Sequence, residues 1–127
     1  MSFRTPLSQA RGLGSAKHGV GHWLSERVAA VALIPLTLWG AFAVIRLASL
    51  DYYGAAAWIS EPVNATLMIL TLAISFMHMK DGLRVVIEDY VYSHLSKAAC
   101  LLANLFVCGL AGALAVFSIL KVALGGA

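Results

Sequence analysis

The chain is 127 residues long, 61% of them hydrophobic and 12% charged, with a formal net charge of +3. Soluble domains carry about twice that share of charge, and the apolar residues here are gathered into long runs, which excludes an ordinary water-soluble domain. Too little chain lies outside the runs for a separate catalytic domain, and the bases are scattered rather than clustered as nucleic-acid binding requires.

Residues 1–19 contain no acid and are punctuated by Pro6, Gly12, Gly14 and Gly19, so an irregular arm is expected. Its bases and serines also resemble an organellar transit peptide. An uncleaved cytoplasmic arm on a bacterial inner-membrane protein is preferred, with the mitochondrial inner membrane as the alternative. The first apolar run begins too late and is too long for a signal peptide. That run, residues 28–45, is free of charge and predicts a helix over about 22–50, loosened at Pro35, which lacks a backbone donor. Residues 51–61 read as an outer loop whose Tyr52, Tyr53 and Trp58 suit a membrane interface.

Pro62 sits at a favourable first-turn position for a second helix. Residues 63–79 are charge-free, and with no proline and one glycine before Tyr90 this helix is expected to run on to about 91. A short turn at 93–97 leads to a third helix over about 97–124, which holds the longest charge-free run, 98–120. Each run matches the roughly 20 residues that span a bilayer core. The expected fold is therefore an all-α membrane protein: an arm over 1–19 and one domain over 20–127 with three transmembrane helices. Gly109, Ala111, Gly112, Ala113 and Ala115 would allow close helix packing in the third. Cys100 and Cys108 lie about 12 Å apart along it, too far for a disulfide. With no CxxCH motif, any haem would be held non-covalently.

The bases also orient the chain. Arg4, Arg11, Lys17 and Arg27 precede the first span and Lys80, Arg84 and Lys97 flank the second connection, whereas the outer loop has only Arg46 beside Asp51 and Glu61. The positive-inside rule places the N-terminus and the second connection in the cytoplasm.

The chemistry concentrates at the end of the second span, in His78-Met79-Lys80-Asp81-Gly82 through Glu88-Asp89-Tyr90. On a helix Gly82 and Asp89 fall within about 40° of the His78 face. Neutral imidazole is a common iron ligand, and a glycine one turn on would let a flat macrocycle approach the helix. Tyrosine hydroxyl and carboxylate supply a hydrogen-bond donor and a proton route, which a quinone site needs. Each has a plainer reading: His78 snorkelling to water, Gly82 at a helix crossing, Asp89 and Tyr90 solvated, Arg27 serving topology. Lys80, Asp81, Arg84 and Glu88 are expected to form local ion pairs, Asp81 with Arg84 at i,i+3. His18 and His94 have no distinctive context.

With His22-Trp23-Leu24-Ser25-Glu26-Arg27 at the start of helix one and His78-x3-Gly82-x6-Asp89-Tyr90 in helix two, the chain resembles the small hydrophobic membrane-anchor subunits of succinate dehydrogenase, respiratory complex II. The resemblance covers nearly the whole chain. It implies that His78 is one axial ligand of a haem b shared with a sibling cytochrome b anchor subunit, with Gly82 beside the macrocycle and Arg27 near a propionate. It further implies that Tyr90 donates to a ubiquinone carbonyl while Asp89 supports it or delivers protons. Flavin and iron–sulfur clusters would belong to a flavoprotein subunit and an iron–sulfur subunit docked on the cytoplasmic side. This chain would then be a non-catalytic part of a succinate:quinone oxidoreductase. A fumarate reductase anchor and a non-redox structural or assembly protein remain the alternatives. A small transporter fits less well, because no pair of broken helices is evident.

Overall fold

The computed structural model describes residues 5–12 and 19–125. They form five helices: α1 (Pro6–Ala10), α2 (Gly19–Ala48), α3 (Tyr52–Ser60), α4 (Pro62–Tyr90) and α5 (His94–Ala123). The three expected long helices are present, with no end displaced by more than three residues. Trp23–Ala48, Pro62–Tyr90 and His94–Ala123 are each long and apolar enough to cross a membrane.

Two expectations are corrected. The arm is not wholly irregular: Pro6 opens the single turn of α1 and the Thr5 hydroxyl caps it, accepting from Ser8 N at 3.2 Å. Gly19 likewise begins α2 rather than breaking it. The outer connection is not a loop but α3. Its N-cap is Asp51, whose Oδ1 accepts from Gly54 N at 3.0 Å, satisfying a donor that the first turn would leave unpaired. Trp58 does not stand free at an interface; it is half-buried and stacks on Trp39 at 6.2 Å. Asn64 Nδ2 donates to Trp58 O at 3.0 Å and the Ser60 hydroxyl to Val122 O at 3.2 Å, which ties α3 to the adjoining ends of α4 and α5. Tyr52 and Tyr53 are exposed, as the aromatic-belt reading requires.

Helix α4 is central, packing against both α5 and α2. Little is buried within the chain: among the described residues the buried hydrophobic ones are Ala43, Ala65 and Cys108. Large side chains such as Ile34 and Leu38 on α2, and Phe106, Leu110 and Phe117 on α5, remain exposed. Apolar helices with no polar face belong in hydrocarbon or against another apolar chain. The hydroxyls fit the same setting. Thr37, Thr66, Thr71 and Ser118 each donate to a carbonyl one turn back in their own helix, at 2.7–2.8 Å. No water is needed to satisfy them.

The tightest contact is between α4 and α5. A Cβ added at Gly112 would lie 3.2 Å from Cβ and Cγ of Phe76. Of the small residues expected to pack there, Gly112 fills that role, whereas Gly109 faces open space. Gly112→Leu should therefore force the helices apart and destabilise the chain by about 1–3 kcal/mol, the usual penalty of overpacking. Gly109→Leu should change little. Thermal unfolding of both variants in one detergent checks this, and equal midpoints would refute the seam. Cys108 is buried in the same seam and free, while Cys100 is exposed, so only the former is a packing residue.

Candidate functional site

Helix α4 is continuous over 29 residues, so it is about 44 Å long, against a hydrocarbon core of about 30 Å. Its charge-free part ends at Met79, and residues 80–90 continue as helix beyond the apolar span. With no break between His78 and Tyr90, the helical phase read from the spacing holds: His78, Gly82 and Asp89 share one stripe. They do not share one pocket. Asp89 lies about 17 Å along the axis from His78, and Tyr90, the last residue of the helix, about 120° around from it. The stripe carries two stations.

The first station is His78 with Gly82. His78 is half-buried, and its Nδ1 is buried with no hydrogen-bond partner among the described residues. An unpaired buried polar atom costs about 1–3 kcal/mol, and because the chain itself covers Nδ1, the other ring nitrogen is the one left for a group outside this chain. Gly82 is not a helix-crossing glycine within the chain, because a Cβ there would meet nothing within 4 Å. The contrast with Gly112 separates the two explanations for glycine in this fold. No three His, Cys, Asp or Glu side chains come together among the described residues as a metal site. An ion at His78 would take its other ligands from outside the chain, as a porphyrin iron does. The donor and the open space beside it fit a haem.

Arg27 lies at the same end of the α2–α4 pair. A cleft of about 210 Å³ between those helices is lined by Ser25, Val28, Ala29, Ala32, Ile74 and Met77. Neither Arg27 nor His78 lines it, and on α2 Arg27 falls on the side away from Ser25, Val28, Ala29 and Ala32, so the structure does not bring the two together within this chain. The Arg27 guanidinium is exposed and lies 5.6 Å over the Trp23 ring, an arrangement that leaves its donors available to an anion. The side chain of His22, together with Arg4, Gly14, Lys17 and His18, lies outside the described residues.

The second station is Asp89 and Tyr90, both exposed, with Tyr90 76% accessible. Their helix end is fastened to α5, since Lys97 Nζ donates to Glu88 O at 2.8 Å. Arg84 pairs with Glu88 at 2.7 Å, four residues on, and Asp81 pairs with Lys80 at 3.0 Å. The expected Asp81–Arg84 pair is thus replaced by two others. The side chain of Asp81 turns into the interior, where it is the buried charged residue of the described chain.

Sequence reasoning gave Ser25 and Asn104 no role near these stations and gave Asp81 only a local ion pair. Ser25 is the polar member of the α2–α4 cleft. Asp81 and Asn104 line a second cleft of about 220 Å³ between α4 and α5, with Lys80, Arg84, Leu101 and Leu105. The signal for Asn104 was present, as an amide inside a charge-free run, but its direction was not.

The model of the succinate dehydrogenase/fumarate reductase transmembrane subunit family matches residues 1–118. Among curated proteins, the chain is 32% identical to the succinate dehydrogenase hydrophobic membrane anchor subunit of Paracoccus denitrificans, over 98% of this chain and 96% of the relative. It is 32% identical to the subunit of that name from Rickettsia conorii, over 82% of this chain and 84% of the relative, and likewise 32% identical to that of Rickettsia bellii, over 70% and 71%. No solved structure matches. A match over this much of the chain, on a three-span helical fold, places the protein in the family of succinate dehydrogenase and fumarate reductase transmembrane subunits.

Proposed function

We propose that the chain is the small membrane anchor of a bacterial succinate:quinone oxidoreductase, contributing one axial ligand of a shared haem b and part of the quinone-reduction site. The observation that carries the haem part is the half-buried His78 one helical turn from the open space at Gly82, on the same stripe. His78 would hold the iron from this side, Gly82 would admit the macrocycle edge, and Arg27 would meet a propionate. A b-type haem bound there would supply a one-electron carrier. The curated relatives cited above are succinate dehydrogenase subunits, which favours the succinate-oxidising direction over fumarate reduction.

By the positive-inside rule, the N-terminal arm and the connection between α4 and α5 would lie on the cytoplasmic side of the inner membrane. Residues 80–90 would then project toward docked iron–sulfur and flavoprotein subunits, and the exposed faces of α2 and α5 would meet lipid and the sibling anchor subunit. Succinate oxidation in the partners releases electrons, and ubiquinone takes up two electrons and two protons to become the quinol. Tyr90 would orient the quinone by donating its hydroxyl to one carbonyl oxygen. The Asp89 carboxylate, exposed next to it, would collect protons from water and pass them to that hydroxyl and oxygen.

The test is purification in mild detergent through a tag on this chain, with a dithionite-reduced minus oxidised visible spectrum. A b-type α-band with co-purifying flavoprotein and iron–sulfur subunits is expected. Partners without haem would keep the anchor role and remove His78 as a ligand. Neither, from a chain still folded, would favour a structural membrane protein.

A further inference from the structure

Besides the Lys97–Glu88 contact at the end of α4, two contacts join α4 to α5, and they straddle His78. On one side of it Phe76 packs against Gly112. On the other, Asn104 Nδ2 donates to the backbone carbonyl of Lys80 at 2.8 Å, and the Cys108 thiol donates to Asn104 Oδ1 at 3.2 Å. Asn104, Cys108 and Gly112 follow one another at intervals of four, a single stripe on α5, and the last two are buried. Phe76 and Lys80 are likewise one turn apart on α4. His78 lies two residues from each, about 160° around the helix from both. Helix α5 therefore grips the back of the turn whose front presents the imidazole.

We propose that Asn104 is a positioning residue for His78: by holding the Lys80 carbonyl it sets the rotation of α4, and so where the imidazole stands. This rests on the haem-ligand reading above. A ring nitrogen about 6–7 Å from the helix axis moves about 1 Å for a 10° rotation. Metal–ligand distances are held within about 0.2 Å, so even a small rotation must be absorbed by the side chain or by a tilt of the ring. Apolar contacts on a two-helix seam resist separation better than rotation, whereas a directional bond resists rotation. Around residue 80 the carbonyl already accepts within its own helix, so a second donor on it is an added constraint rather than a repair. The thiol of Cys108 in turn fixes which way the Asn104 amide faces. Lys97 holds the Glu88 carbonyl at the far end of α4, eight residues beyond Lys80, and Ser118 is spent on its own Leu114 carbonyl at 2.8 Å.

The experiment uses the whole complex purified through this chain, comparing parent, Asn104→Leu, Cys108→Ala, Ser118→Ala and His78→Ala. Haem per complex is measured, together with the electron paramagnetic resonance g-values of the ferric haem, which report how the axial imidazole is oriented. Asn104→Leu should assemble, oxidise succinate with an artificial acceptor at the parent rate, and show shifted g-values with reduced haem content. Cys108→Ala should shift the same signal by less, and Ser118→Ala not at all. A parental signal at full haem content in Asn104→Leu overturns the proposal. Where Asn104→Leu yields no complex, Cys108→Ala decides alone, and a parental signal in it does the same. Haem persisting unchanged in His78→Ala would instead overturn the ligand assignment, so the two failures are told apart.

Discussion

Replacing His78 by alanine is expected to leave the chain in the membrane with its partners while haem is lost. The chain does not depend on this side chain for folding: it is half-buried, its Nδ1 has no partner among the described residues, and the tight helix seam lies on the other side of α4. The cofactor would depend on it heavily. Losing even an outer partner of a metal ligand lowers affinity about 10–100-fold, so removing the ligand itself should exceed about 100-fold and leave little haem after purification. A companion variant sharpens the result. Gly82→Phe adds bulk where this chain has nothing within 4 Å of a Cβ, so folding in detergent should be unaffected, yet a macrocycle lying there would be displaced. Haem lost in both variants, with partners retained, would establish the first station. Haem retained in His78→Ala would mean that the imidazole only snorkels, and haem retained in Gly82→Phe alone would move the macrocycle off this turn.

Much of this architecture was legible in the sequence because membrane spans write themselves as charge-free runs. Residues 28–45, 63–79 and 98–120 became α2, α4 and α5 almost as read, since a long continuous apolar run in hydrocarbon satisfies its backbone within itself only as a helix. The uninterrupted course of α4 to Tyr90 was also readable, from the absence of any proline after Pro62. Helix α3 was read as a loop from its interfacial aromatics, and its N-cap, Asp51, was counted only as an acid of that loop. What spacing could not yield was rotation. The charges of residues 80–88 pair as Lys80–Asp81 and Arg84–Glu88, although Asp81 and Arg84 line the same cleft. Asn104 disappeared into an apolar run for the same reason: its meaning depends on which side of α5 meets α4. Conversely, the His78–Gly82–Asp89 stripe was found because it lies on one helix, where phase follows from numbering alone.

Tyr90→Phe carries the largest expected effect on turnover. The phenol is 76% exposed at the last residue of α4, so losing its hydroxyl removes no internal contact and should not alter assembly or haem content. If the hydroxyl donates to a quinone carbonyl, its bond strengthens as electrons arrive and charge builds on that oxygen. Donors aimed at developing charge are worth about 10²–10³ in rate, and a drop on the order of 10²-fold in succinate–quinone activity is expected. Succinate oxidation with an artificial acceptor bypasses the quinone and should remain at the parent rate. Tyr92, also exposed and two residues beyond the helix end, serves as the control. Tyr92→Phe removes an identical group from the same surface and should leave both activities alone. An equal loss in both tyrosine variants would point to a general effect on this surface, and an equal loss in both assays would place the defect upstream of the quinone. Asp89→Asn separates the remaining roles, because the amide can still hydrogen-bond but cannot take up a proton. If Asp89 delivers protons, Asp89→Asn should slow quinone reduction with little change in the quinone concentration giving half-maximal rate. If the carboxylate only orients Tyr90, that concentration should rise instead.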